Sequence, residues 1–113
     1  MRWFLRSKIH KATVTEANLE YIGSITIDKN LMDAVGILPF EKVQVVSNTS
    51  GARLETYVIE GEADSGVICM NGACSHLIKK GEIIIIMGYE LSDEAFAPKI
   101  VLADSSNRIE RFL

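Results

Sequence analysis

The sequence predicts a mainly β fold, a small barrel or sandwich, built as one domain. Three observations predict it. Short apolar runs recur at fairly even spacing, with turn residues between them. Little of the chain carries the 3.6-residue periodicity of a long helix. The 113 residues leave room for one domain and little for a second, and 48% of them are hydrophobic, enough for a core.

The elements follow in order. Residues 4–11 form a first strand that continues through 12–14. "EANL" (16–19) reads as a single helical turn. Residues 23–27 make the next strand, which starts on Gly23–Ser24. "KNLMDAVGI" reads as a short helix with Asn30 as N-cap and Gly36 as the residue that ends it. Residues 42–47 alternate, Val43 and Val45 on one face and Lys42 and Gln44 on the other, as period two requires. Strands at 52–59 and 67–70 come next. "NGACSHLIKKG" turns at Asn71–Gly72, runs one or two helical turns and stops at Gly81. "EIIIIMGY" is apolar on both faces, so the strand at 82–89 is expected to be central and fully buried. "SDEAF" reads as a short helix capped by Ser92. Residues 99–103 give the final strand.

Composition excludes several functions. The formal charge is −3, with no basic excess of the kind that phosphate binding uses, so no nucleic-acid partner is expected. The longest apolar run, "IIIIM", falls far short of the ~20 residues that span a bilayer. The apolar patch in "MRWFLRSKIH" is cut by Arg6 and Lys8 and is not a signal peptide, so the expected compartment is the cytoplasm. Cys69 and Cys74 read as reduced thiols. Together with His10 and His76 they lack CxxC or HxxxH spacing, and no metal site is expected.

Chemistry is concentrated in a few short stretches. A Gly-Ser pair in a strand serves either as a bulge or kink, or as a reactive bond. In the second reading the Ser24 hydroxyl attacks the carbonyl of Gly23, where no side chain blocks the approach. The resulting ester breaks by β-elimination, and the new N-terminus becomes a pyruvoyl group. In "SGARLETYVIEG", Arg53, Glu55 and Tyr57 share one face of an extended strand, and Leu54, Thr56 and Val58 share the other. That first face is either a solvated cross-strand surface or a guanidinium that grips a carboxylate beside a phenol able to give up a proton. Lys8 and His10 share a face of the first strand, as an exposed basic edge or as part of a site. Asn71–Gly72 is either a hairpin turn or a loop whose N–H groups meet a carboxylate.

Taken together and in this order, these stretches resemble the pyruvoyl-dependent aspartate 1-decarboxylases of bacteria. The resemblance rests on "KIHKATVTEANLEYIGSITID" (8–28), "AVGILPFEKVQVVSNTSGARLETYVI" (34–59) and "ICMNGACSHLIKKGEIIIIM" (68–87), with a looser match in "PKIVLADSSNRI" (98–109). Its specific parts are YxGS, GxRxxTY and NGA. It implies a six-stranded double-psi β-barrel that cleaves itself into a β chain, 1–23, and an α chain, 24–113. It implies a homotetramer with active sites between subunits that converts L-aspartate to β-alanine and CO2 for pantothenate and coenzyme A synthesis. Ser24 would supply the pyruvoyl group that forms a Schiff base with substrate, and Tyr57 the proton. Arg53, Lys8, Thr56 and the Asn71, Gly72, Ala73 loop would bind substrate. Gly23, Ser24, Thr56, Tyr21 and His10 would serve processing. Strict alternation points Thr56 away from Arg53 and Tyr57, which a bulge or twist would have to correct. Cys74 stands where small residues are more usual, implying sensitivity to oxidation or alkylation.

Two other readings compete: a decarboxylase of another small acidic amino acid, and a barrel that never processes and acts as a binding or assembly module. Joint occurrence of Lys8, Ser24, Arg53, Thr56 and Tyr57 favours the enzyme. Whether a maturation helper takes part is left open by the sequence.

Overall fold

A computed structural model describes residues 1–113. Its nine strands join into one sheet in the order β2-β6-β3-β5-β4-β7-β1-β8-β9. Six have five or more residues: β1 (Arg2–Thr13), β3 (Ser24–Asp28), β4 (Lys42–Ser47), β5 (Arg53–Gly61), β7 (Ile83–Ser92) and β8 (Lys99–Ala103). The short ones are β2 (Glu16–Asn18), β6 (Ile68–Asn71) and β9 (Ile109–Phe112). With only two short helices, α1 (Lys29–Val35) and α2 (Cys74–Leu77), the molecule is the mainly β, barrel-like sheet expected, consistent with a double-psi barrel.

The sheet mixes parallel and antiparallel pairs. β1 pairs antiparallel with β7 and parallel with β8, and β3 pairs parallel with β5 and antiparallel with β6. Eighteen buried apolar residues form one core cluster, including Ile9, Ile25, Ile27, Val58, Ile84 and Ile86. Ser47 Oγ donates to Glu82 Oε1 at 2.6 Å and so ties the end of β4 to the entry of β7. That bond is the main reason the Glu82 carboxyl is held below its ordinary range.

The structure corrects five local expectations. Residues 16–18 form strand β2, paired in parallel with β6 at Glu16–Cys69, not a helical turn. β3 begins at Ser24, so the Gly23–Ser24 bond lies at the entry of the strand. The N-cap of α1 is Asp28, whose Oδ1 accepts from Asn30 N at 2.8 Å; Asn30 lies inside the helix. Gly36 ends it with φ 77°, as expected. "SDEAF" is not a helix: Ser92 Oγ accepts from Glu94 N at 3.1 Å in a bend, and Phe96 packs on Phe4 at 5.9 Å between ring centroids. β7 is central, but only one face is buried. Ile84 and Ile86 are enclosed, whereas Ile83 is 40% exposed on the outside.

Candidate active site

Ser24 opens β3, which lies between β5 and β6. Its strand neighbours Ile25 and Ile27 enter the core, so Ser24 and Thr26 share the opposite face. Opposite Ser24 stands Asn71, its registered partner on β6. The Asn71 carboxamide Nδ2 donates to Ser24 Oγ at 2.8 Å and to Thr26 Oγ1 at 3.0 Å. Ser24 Oγ donates in turn to Ile22 O at 3.3 Å. Ser24 is wholly shielded from solvent.

The loop over this site has a definite geometry. Gly72 N donates to Asn18 O at 2.7 Å. A Cβ on Gly72 would stand 2.6 Å from Tyr21 O and 2.7 Å from Gly23 N, so only glycine lets the two backbones touch. Gly23 differs. Nothing lies within 4 Å of a Cβ added there, and its φ is outside the left-handed range.

Tyr57 joins the site through register. β3 and β5 pair in parallel from Ile25–Val58, so Tyr57 stands level with Ser24 and on its face. Arg53 is four residues earlier on the same strand, about 13 Å along it. Thr56 lies on the core-facing side with Leu54 and Val58. β5 runs through it unbroken, paired Thr56–Val43, so no bulge turns it toward Tyr57.

Lys8 and His10 are not brought to Ser24 in one chain. Lys8 pairs with Met87, Met87 with Gln44, and Gln44 with Glu55. Those are three strand steps of about 4.8 Å each before β5 is reached. His10 lies in the β1 irregularity between Ile9 and Ala12, where Lys11 takes φ 62°. Lys8, His10, Arg53 and Tyr57 therefore belong to one outer face of the sheet but to different places on it. A groove of about 750 Å3 on this side of the molecule, with Trp3, Phe40 and Tyr89 in its walls, does not include Ser24. Tyr21 is 49% exposed, two residues before Gly23, and Ala73 is exposed at the entry of α2.

His10 Nδ1 is buried with no hydrogen-bond partner. Burial, then the charges of Lys8 and Lys11, lower its pKa below 6.5. The imidazole is therefore neutral at pH 7. In the unfolded chain it binds a proton first, so the stability it contributes is lost as pH falls below about 6.5 toward the folded midpoint. An NMR titration is expected to show a His10 midpoint below that of a free histidine. Lys8→Ala should raise it only in part, because burial is the larger cause. A midpoint at or above 6.5 would contradict this.

Two members of the site have little signal in the sequence. Thr26 is detectable only as the residue two after Ser24, and Cys69 only as the residue two before Asn71. Its Sγ donates to Asn71 Oδ1 at 3.2 Å.

Comparison with known proteins adds the decisive observation. The family described as aspartate decarboxylase matches residues 1–110. The chain belongs to the aspartate decarboxylase family. An aspartate 1-decarboxylase of Bacillus subtilis is 53% identical, over 99% of this chain and 91% of its own. Another, of Clostridium botulinum, is 60% identical over 95% of this chain and 87% of its own. The family match extends past Ser92, into the region where the sequence resemblance is loosest. Within this aspartate decarboxylase fold, both cysteines are free, and Cys74, half-buried, opens α2 directly after the Asn71–Ala73 loop.

Proposed function

We propose that the chain is a precursor that cuts itself between Gly23 and Ser24 and then decarboxylates L-aspartate to β-alanine and CO2, supplying pantothenate synthesis. One observation carries the cleavage reading. Gly23 has open space where a side chain would go and an ordinary φ, so the fold makes no demand for glycine there. The demand that remains is chemical: an unhindered carbonyl next to a hydroxyl.

The residues present fit a pyruvoyl group at position 24. Ser24 is shielded from solvent, and Asn71 Nδ2 already points at the reacting oxygen. When formed, that group supplies a ketone that takes the substrate amine and draws off the electron pair left by the departing carboxylate. The protein's own part is to admit, hold and protonate. Cleavage frees residues 19–23 from Ser24 and opens the covered face. Tyr57, level with Ser24, gives the proton. The Asn71, Gly72 and Ala73 loop offers N–H groups to substrate. Lys8 and Arg53 pair with carboxylate, best with the side-chain one, because gripping the departing carboxylate would stabilise the ground state. Thr56 assists processing and binding from the core side, Tyr21 flanks the cleaved bond, and His10 reaches it from a neighbouring copy.

Lys8, His10 and Arg53 lie strands or residues away from Ser24 in one chain, so a neighbouring copy delivers them, and the working form is a homotetramer. The half-open outer face of β7 is available for that contact. No helix is long and apolar enough to cross a membrane. The two free cysteines suit the cytoplasm, which is the proposed compartment.

The test is an intact-mass spectrum of denatured protein followed by an assay for β-alanine. Two pieces split after Gly23, the larger with a pyruvoyl end, and aspartate-dependent product are expected. One unbroken chain after long warm incubation would overturn the proposal. In the same assay Tyr57→Phe is expected to process normally and to lose about 10²–10⁴-fold in turnover, the usual contribution of a positioned acid. Turnover near that of the parent would remove Tyr57 as the donor.

A further inference from the structure

The network around Ser24 contains a group that none of these roles uses. Cys69 is 6% exposed on β6, two residues before Asn71 and on its face. Its Sγ donates to Asn71 Oδ1 at 3.2 Å, while Asn71 Nδ2 donates to Ser24 Oγ at 2.8 Å and Thr26 Oγ1 at 3.0 Å. A carboxamide can turn over and exchange its donor and acceptor ends. The Thr26 hydroxyl can give or accept and does not choose between the two orientations; Ser24 Oγ favours the present one only through its long 3.3 Å bond to Ile22 O, since its proton can turn to an amide oxygen instead. A thiol does choose: it donates its one proton and accepts weakly. Burial first, and then the carboxylate of Glu16 on the paired strand, keep that proton on sulfur.

We propose that Cys69 is a positioning residue for chain cleavage: its S–H turns the Asn71 carboxamide so that Nδ2 faces Ser24 Oγ. The inference rests on cleavage at Gly23–Ser24. In that reaction Oγ attacks the Gly23 carbonyl carbon, the peptide C–N bond breaks, and the nitrogen takes up the hydroxyl proton. This leaves Gly23 as an ester on Oγ and Ser24 with a free amine. Water then removes the Ser24 Cα proton. The C–H electron pair becomes a Cα=Cβ bond, the Cβ–Oγ bond breaks, and its pair departs on Oγ as the carboxylate of Gly23. Negative charge grows on the atom that Nδ2 faces, so an N–H donor there lowers the barrier. A reversed amide would face that charge with Oδ1 lone pairs and raise it.

The experiment follows cleavage of the full-length precursor by intact mass and reads the ester by hydroxylamine scission. Cys69→Val keeps comparable bulk without a donor, Cys69→Ala removes bulk and donor, and Cys69→Ser keeps a donor. Val and Ala are expected to slow cleavage about 2- to 10-fold, the range that loss of one ordinary hydrogen bond converts to. Hydroxylamine-sensitive ester should accumulate in both. Ser should stay close to the parent. Parental rates in Val and Ala would overturn the proposal, and so would a Ser variant as slow as Val, since packing alone would then explain the effect. Melting curves identify any variant that does not fold, and if Val fails, Ala carries the comparison. A parent chain that never cuts refutes the cleavage reading itself, a result distinct from equal rates among variants that do cut.

Discussion

Ser24→Ala is expected to give a folded chain that stays whole and has no measurable aspartate turnover. The substitution removes the only nucleophile next to the Gly23 carbonyl while leaving the core side of β3, Ile25 and Ile27, untouched. Asn71 Nδ2 keeps Thr26 Oγ1 as the acceptor of one N–H at 3.0 Å, while its other N–H loses Ser24 Oγ. A cost of about 1–3 kcal/mol is expected, visible as a drop of several degrees in the melting midpoint. Mass spectrometry should find one species at the mass of the whole chain, even after prolonged warming. Two fragments from this variant would show that the cut does not depend on the Ser24 hydroxyl, and the proposed cofactor would fall with it.

Gly72→Ala is expected to damage both fold and cleavage. The new Cβ would meet Tyr21 O at 2.6 Å, Gly23 N at 2.7 Å and Gly23 Cα at 2.8 Å. All three are backbone atoms and cannot swing aside. The residue also sits at φ 60°, which alanine resists. Together these should cost about 2–4 kcal/mol, measurable by urea unfolding of the uncut chain. The strain falls on residues 21–23, so the reacting carbonyl is displaced. A shift approaching 1 Å is enough for a loss of ~100-fold in cleavage rate. Gly23→Ala makes the contrast. It meets nothing within 4 Å, so stability should change by no more than about 0.5 kcal/mol while cleavage slows. Equal loss of stability in the two variants would mean that Gly23 is structural and would weaken the chemical reading of the pair.

Much of the fold was legible where the pattern was local. β4 and β8 occupy the predicted residues, 42–47 and 99–103, because alternation inside one strand marks its own limits. Residues 16–19 read as a helical turn because "EAN" lacks strand propensity; only the pairing of 16–18 with β6 makes them strand β2. β9 is exposed throughout and pairs with β8, so nothing in its pattern announces it. The two-sided apolar run of β7 misled in the other direction, since its outer residues are only half covered in one chain. Part of the grouping that the resemblance implies is present in the fold: Ser24, Asn71 and Gly72 lie together and Tyr57 stands level with Ser24, through pairings 47 residues apart in the case of Asn71 and Ser24. Lys8 and His10 do not converge with them, because strand order keeps β1 apart from β3, and Arg53 stands four residues before Tyr57 along β5. Cys69 reads in the sequence as a plain reduced thiol, since the role proposed for it depends on which end of an amide it touches.

β1 is hydrogen-bonded on both sides, to β7 and to β8, and it contributes Ile9 and Ala12 to the core. The proposed cut would place this strand in a separate 23-residue peptide threaded through the middle of the other fragment. The precursor folds with its own first strand tethered beside its partners. The cut protein, if unfolded, has to recruit that strand from solution, so its melting midpoint should rise with protein concentration. Cleavage at Gly23–Ser24 would thus make folding a reaction of higher order, and the fold would have to be complete before the bond that made it easy is broken.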